Sequence, residues 1–178
     1  MNLMTTTIRP QVPMYLLQGA PWCAAMGLVD GLRQLGFDDA LVAWPHDVAV
    51  GGQVLALRTH GGVDDGGMYV ELTLAGPVEA NPPTDAQALE AAVATRIARW
   101  EKDVRAGRSQ AGPLADFLSE LFDMMAGMGQ EVRVAYPNGR IFDQGTFAGL
   151  DLWGRATIKR ANGTQLEIAP EQARIVLG

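Results

Sequence analysis

Lysine, histidine and cysteine are scarce in this chain of 178 residues. The two lysines are Lys102 and Lys159, the two histidines are His46 and His60, and Cys23 is the single cysteine. One cysteine excludes an internal disulfide and a four-ligand zinc site built on a cysteine pair, so a reducing, cytoplasmic compartment is the simplest expectation. Chemistry that requires a lysine has only two residues to draw on.

Positive charge and long apolar runs are also lacking. The net charge is −6 and the isoelectric point is about 4.8, whereas a nucleic-acid binder needs a basic face to meet phosphates. No apolar run approaches the roughly 18 residues that a membrane span requires. The sequence therefore predicts neither a nucleic-acid partner nor a membrane partner. The hydrophobic content of 48% is sufficient for a substantial core.

Hydrophobic periodicity in the first 128 residues predicts an α+β unit. Helices are expected from Pro21 to Gly36, from a Thr84–Gln87 capping box to Val104, and from Leu114 to Met125. Strands are expected at "NLMTTTI" (2–8), and at "ALVAW", "QVLALRT" and "MYVELTLA", whose tight connections favour an antiparallel meander. The segment "GGVDDGG" (61–67) is expected to be a flexible loop or a ligand lid.

The pattern changes after Gly129. Short strand-like runs follow, separated by Asn138-Gly139 and Asn162-Gly163, and Asn-Gly pairs are strong hairpin signals. About fifty residues of this kind predict a small β-barrel. We expect two domains, residues 1–128 and 129–178.

The tetrapeptide Trp44-Pro45-His46-Asp47 contains the most conspicuous candidate site residues. Trp44 can stack on a ligand or pack in the core, and Asp47 can contact a ligand or accept hydrogen bonds within a turn. His46 can transfer a proton, or simply occupy the turn. A metal site built from His46, His60 and the Asp64-Asp65 pair is conceivable, although its spacing matches no metal-binding motif.

The order of these segments resembles biotin–protein ligases. The resemblance rests on "NLMTTTIRPQVP", "AAMGLVDGLRQLG", "WPHD", the strand pair after it, and a tail reading "GTFAGLDLWGRATIKRANGTQLEIAPE". It covers residues 2–178, and in the tail Gly145, Gly149-Leu150-Asp151 and Gly154 match the family pattern. The resemblance implies a mixed or antiparallel sheet with packed helices, an SH3-like C-terminal barrel, and a family chemistry that uses biotin and ATP. It also implies cofactor binding at Trp44 and Asp47, with Asp47 near the adenylate.

The departures from that family fall on its ligand-binding elements. Its Gly-Arg-Gly-Arg-x-Gly loop is not found in residues 1–20, and Ala43 replaces the lysine before the tryptophan. The family's next lysine aligns with Val54, which offers neither charge nor hydrogen-bond donor, and a glycine aligns with Leu57, expected to fill ligand space. A Gly-x-Gly-x-Asn strand aligns with residues 71–75, where Glu71 and Thr73 add side chains.

We therefore expect a degenerate, truncated ligase-like protein with no catalytic residues, no cofactor and weak or absent biotin binding. Its role would be binding, regulation or that of a subunit. One alternative is an active biotin or lipoate ligase component completed by a second polypeptide. The other is a chain whose N-terminus is incomplete. The unguarded strand 2–8 also predicts a homodimer or a protein partner at an exposed sheet edge.

Overall fold

Two antiparallel sheets of five strands each form the framework within residues 1–77 and 85–178, which the computed structural model describes. The first sheet has the strand order β1-β5-β4-β3-β2. Its strands are β1 (Asn2–Ile8), β2 (Leu41–Ala43), β3 (Asp47–Val50), β4 (Gln53–Asp64) and β5 (Gly67–Ala75). The predicted antiparallel arrangement is confirmed, and β1 extends it by pairing with β5, with Thr5 opposite Thr73.

Helices cover one face of the first sheet. A 3-10 helix (Met14–Gly19) leads into α1 (Ala20–Gln34), which packs against α2 (Ala86–Arg105), and α3 (Leu118–Met124) follows. Close approach of α1 and α2 depends on Gly27, because a Cβ there would lie 2.7 Å from the Val93 Cα atom. Ion pairs from Arg96 to Asp30 and to Glu120 join all three helices across this packing.

The second sheet begins at Glu131 and has the order β10-β6-β7-β8-β9. Its strands are β6 (Glu131–Ala135), β7 (Ile141–Leu150), β8 (Ala156–Lys159), β9 (Gln165–Ile168) and β10 (Arg174–Val176). Both predicted Asn-Gly turns are present, with φ of +86° at Gly139 and +83° at Gly163. In the described part of the chain no pairing joins β9 to β10, so the predicted barrel is open. The division into independent domains at residue 129 stays a prediction.

Three local predictions differ from the structure. Residues 61–67 are not a loop: β4 continues to Asp64 and β5 starts at Gly67, because residues 61–64 pair in register with residues 67–70, and the Arg9 guanidinium also contacts the Asp64 carboxylate at 2.7 Å. The third helix is shorter than predicted and begins at Leu118. Thr84 lies outside the described residues, and the N-cap of α2 is Asp85, whose side chain accepts a hydrogen bond from the Ala88 N–H.

Along the described ranges, no helix has the length and apolar character needed to cross a membrane.

Candidate functional site

The turn Trp44–Asp47 lies where the two sheets meet. Trp44 is 2% exposed, and its indole Nε1–H donates to the Gly154 carbonyl oxygen at 2.9 Å. Close by, the Ala126 N–H donates to the Val42 carbonyl oxygen at 2.8 Å. Because buried polar groups need partners, the Trp44–Gly154 bond couples the position of the first sheet to that of the second. Trp44 therefore has a structural role here, whatever it contacts in a ligand.

Residue 154, which supplies the carbonyl oxygen that Trp44 binds, needs to be a glycine. Its φ is +82°, and a Cβ atom added to it would overlap the Trp22 indole ring. Asp151 fixes the same turn, because one of its carboxylate oxygens accepts from the Trp153 and Arg155 backbone N–H groups at 2.8 and 2.9 Å. The glycine and aspartate of the tail motif thus shape the junction between the sheets.

Asp47 is half-buried at the first residue of β3. Its carboxylate accepts a hydrogen bond from the Leu57 backbone N–H at 2.9 Å. Burial raises the pKa of this carboxyl group, while the Leu57 N–H and the Arg174 charge act in the opposite direction. Asp47 thus links β3 to β4 through a side-chain hydrogen bond, and part of its side chain still borders open space.

That open space is a cleft of about 560 Å³ between the first sheet and β10, which we call the front cleft. It brings together both predicted cofactor-binding residues, Trp44 and Asp47, with Val54, which is 51% exposed. Its remaining walls are Asp39, Ala43, Ala49, Val50, Gly52, Gln53, Arg174, Ile175, Val176, Leu177 and Gly178. The volume suits a small ligand, and no lysine is among the described residues that line it.

Arg174 is the front-cleft residue that sequence reasoning missed. Its guanidinium Nη1 donates to the backbone carbonyl oxygens of Pro170 and Ala173, both at 2.8 Å. The sequence predicts a strand at "ARIVLG" but contains no signal that this strand faces Asp47. The cleft therefore holds one guanidinium and two carboxylates, those of Asp39 and Asp47, among mainly apolar walls.

The face of the first sheet opposite the helices is polar. Burial alternates along β4 and β5, so Arg58 and His60 share the open face with Glu71 and Thr73. Glu71 lies opposite His60 on one side and Thr7 on the other. Glu71 and Thr73 therefore do add side chains where the ligase resemblance implies a glycine-lined surface.

Leu57 does not face this surface, and the prediction that its side chain fills ligand space is wrong. It is 3% exposed and belongs to the hydrophobic core beneath the helices. Alternation along β4 places Val54, Ala56 and Arg58 on one side and Leu55 and Leu57 on the other. Ala56 is the small residue that the open face carries at this point.

The two histidines are not brought together. His46 packs edge-on against the Trp22 ring, with centroids 5.9 Å apart, whereas His60 lies on the open face of β4. Burial, followed by the Arg174 charge, lowers the pKa of His46 to about 4, so its imidazole is neutral near pH 7. Across residues 1–77 and 85–178 no group of three potential ligands could hold a metal ion.

No protein-family model matches the chain, and no curated protein matches it by sequence. Solved structures do. The crystal structure of biotin protein ligase from Aquifex aeolicus matches with a TM-score of 0.67 and 17% identity, over 98% of this chain and 81% of that one. The structure of that ligase in complex with biotin and ATP matches with a TM-score of 0.67 and 16% identity, over 98% and 77%. The chain therefore has a biotin protein ligase-like α+β fold.

Proposed function

We propose that this chain is a biotin ligase-like protein that does not form biotinyl-adenylate and acts as a binding, regulatory or subunit protein. One observation carries the proposal: the front cleft presents Val54 at the position that the family resemblance assigns to a lysine. A lysine would supply a cation and a donor to the reacting carboxylate and phosphate, and valine supplies neither. The charges that face the cleft are instead Asp39, Asp47 and Arg174.

The open face supports weak or absent biotin binding. Glu71 is an exposed carboxylate, and it stands between Thr7 and His60 on the surface where the resemblance implies bare backbone. A second carboxylate brought to this surface meets like charge, and the side chains of Glu71 and Thr73 occupy volume that glycines would leave free. Leu57 contributes nothing to this argument, because it lies in the core.

Biotin-dependent exchange of pyrophosphate into ATP, and biotin transfer to a carrier protein, test the proposal. We expect both to remain at background for the purified chain, and calorimetry to give no biotin dissociation constant at or below about 1 μM. Sustained ATP-dependent transfer would overturn the proposal. The variant Val54→Lys tests its cause, and it should acquire measurable exchange only if the lysine is the single missing element.

A second candidate function is an active ligase component completed by another polypeptide. The outer edge of β1 favours it, since β1 pairs with β5 alone among the described strands. Backbone N–H and C=O groups along that edge can accept an added strand. A co-purifying protein that restores exchange activity would favour this candidate over a non-catalytic role, whereas an in-frame Gly-Arg-rich stretch in the DNA upstream would favour the alternative of a chain whose N-terminus is incomplete.

The same edge supports our expectation of a two-fold dimer. Residues 2–8 contain no lysine, proline or acidic residue to guard β1 against pairing. Sedimentation at micromolar concentration should show a species of about twice 19.0 kDa. Thr7→Lys, an added charge on β1, should shift it toward the monomer, while Thr95→Lys on the exposed side of α2 should not. A monomer whose β1 amides are fully protected from hydrogen exchange would refute the partner argument.

A further inference from the structure

A second cleft lies beside the front cleft, and neither the ligase resemblance nor the proposed function uses it. It has a volume of about 510 Å³, and we call it the rear cleft. His46 lines the rear cleft, whereas the next residue, Asp47, lines the front cleft. Its other walls come from the 3-10 helix and the start of α1, and from the connections between β7 and β8 and between β9 and β10: Gln18, Pro21, Trp22, Trp153, Arg155, Ala169, Pro170 and Glu171.

Arg155 is the fixed cation of the rear cleft. Its Nε–H donates to one Asp151 carboxylate oxygen at 2.7 Å, and its backbone N–H donates to the other. The Nε–H bond holds the guanidinium by one end, and the backbone bond fixes the residue that carries it. Its two terminal nitrogens have no hydrogen-bond partner among the described residues, which leaves a planar pair of donors for a carboxylate.

The other wall provides flat apolar surface and one neutral polar group. Trp153 is 44% exposed, and Pro170, Pro21 and Trp22 line the same cleft. The His46 Nδ1 atom is buried and has no hydrogen-bond partner. Because this atom is not accessible, His46 contributes a neutral ring to the cleft wall and no hydrogen-bond partner for a ligand.

Glu171 limits the charge of the ligand. Its exposed carboxylate lines the same cleft as Arg155, so a ligand with two negative charges meets repulsion after its first charge is paired. Aromatic rings stack favourably against an exposed indole. The combination suits a single carboxylate attached to a flat apolar body.

We propose that the rear cleft binds small aromatic monocarboxylates, with the carboxylate on Arg155 and the ring against Trp153. The site is independent of biotin chemistry, and it requires only the folded junction between the two sheets.

Titration with 4-phenylbutyrate, followed by amide NMR shifts and tryptophan fluorescence, tests the proposal. The neutral 4-phenylbutyramide and the dianion phenyl phosphate are the matched probes. We expect the carboxylate to bind at least about tenfold more tightly than either probe, with the largest shifts in residues 151–155. Equal affinity for the amide, or no saturable binding at about 10 mM carboxylate, would overturn the proposal.

Variants separate this site from general anion binding. Arg155→Gln should weaken 4-phenylbutyrate binding at least about tenfold, whereas Arg133→Gln, at an exposed arginine on β6, should leave it unchanged. Glu171→Gln should preserve carboxylate binding and relieve the discrimination against phenyl phosphate. Should Arg155→Gln fail to fold, Trp153→Ala provides the test, because Asp151 holds that turn through backbone N–H groups. Equal losses in the Arg133 and Arg155 variants would contradict the assignment.

Discussion

The chain can be compared residue by residue with the ligase pattern in two regions: the turn at Asp151–Arg155 and the open face of β4 and β5. In the turn, the matching residues Asp151 and Gly154 are held by contacts within the protein. On the open face, the differing residues Glu71 and Thr73 make no contact that the fold needs to form its core. The junction between the sheets thus depends on which residues stand in it, whereas the core does not depend on which side chains stand on the open face.

Among variants that should remain folded, the largest expected effect comes from Gly154→Ala. The added methyl group would overlap the Trp22 ring, and alanine is strained at φ of +82°, so the free energy of unfolding should fall by about 4 kcal/mol. Urea denaturation measures it. Gly163→Ala is the control, because φ is +83° there and no atom lies within 4 Å, so only the backbone strain remains. Similar losses at both positions would show that the Trp22 contact matters little.

Acid should destabilise the junction through His46. Its pKa is about 4 when folded and about 6.5 when unfolded, so the unfolded chain takes up the proton first as the pH falls. Stability is then lost between pH 6.5 and pH 4, by about 3 kcal/mol. His46→Asn should remove this loss. The raised pKa of Asp47 acts with the opposite sign in both proteins, so it cancels in the comparison. Parallel stability curves would contradict the buried, neutral imidazole.

A smaller effect is expected from Trp44→Phe, which removes the indole N–H that binds the Gly154 carbonyl oxygen. The loss should be about 1.5 kcal/mol greater than that of Trp100→Phe. Trp100 is an apt control because it is equally buried and its Nε1 has no hydrogen-bond partner. Thermal and urea unfolding of the two variants measure the difference. Equal losses would remove Trp44 from the coupling between the sheets.

The smallest expected effect on stability is that of Val54→Lys, below about 0.5 kcal/mol, because Val54 is 51% exposed. Leu57→Lys, three residues along the same strand, should unfold the protein by burying an unpaired charge. Circular dichroism and urea titration distinguish them. A stable Leu57→Lys protein would show that β4 is registered differently, and the assignment of the ligand surface would have to change.

Much of the fold follows from local signals in the sequence. The periodicity of α1 and α2 and the two Asn-Gly turns predict those elements well, because they depend on neighbouring residues. The prediction that Leu57 fills ligand space is wrong, although the two-residue period of a strand already indicates the side on which Leu57 lies. Val54 and Leu57 are three residues apart on one strand, so their side chains lie on opposite faces of the sheet. If Val54 faces the cleft, Leu57 therefore faces the core. The position of Arg174 beside Asp47 and the existence of the rear cleft depend on how the two sheets pack together, and no local sequence pattern indicates that packing.

The pairing of β1 has a consequence for synthesis. Thr5 and its neighbour Thr73 are 68 residues apart, so β1 leaves the ribosome long before β5 exists to receive it. At about 5–20 residues per second, the nascent segment waits roughly 3 to 14 s without its partner strand. During that interval "NLMTTTI" is an uncharged, β-prone stretch of the kind that other nascent chains can capture. At low temperature translation is slower, so the segment waits longer, but fewer nascent chains are present at one time to pair with it. The yield of folded protein should therefore depend on the expression rate more than on the stability of the finished sheet.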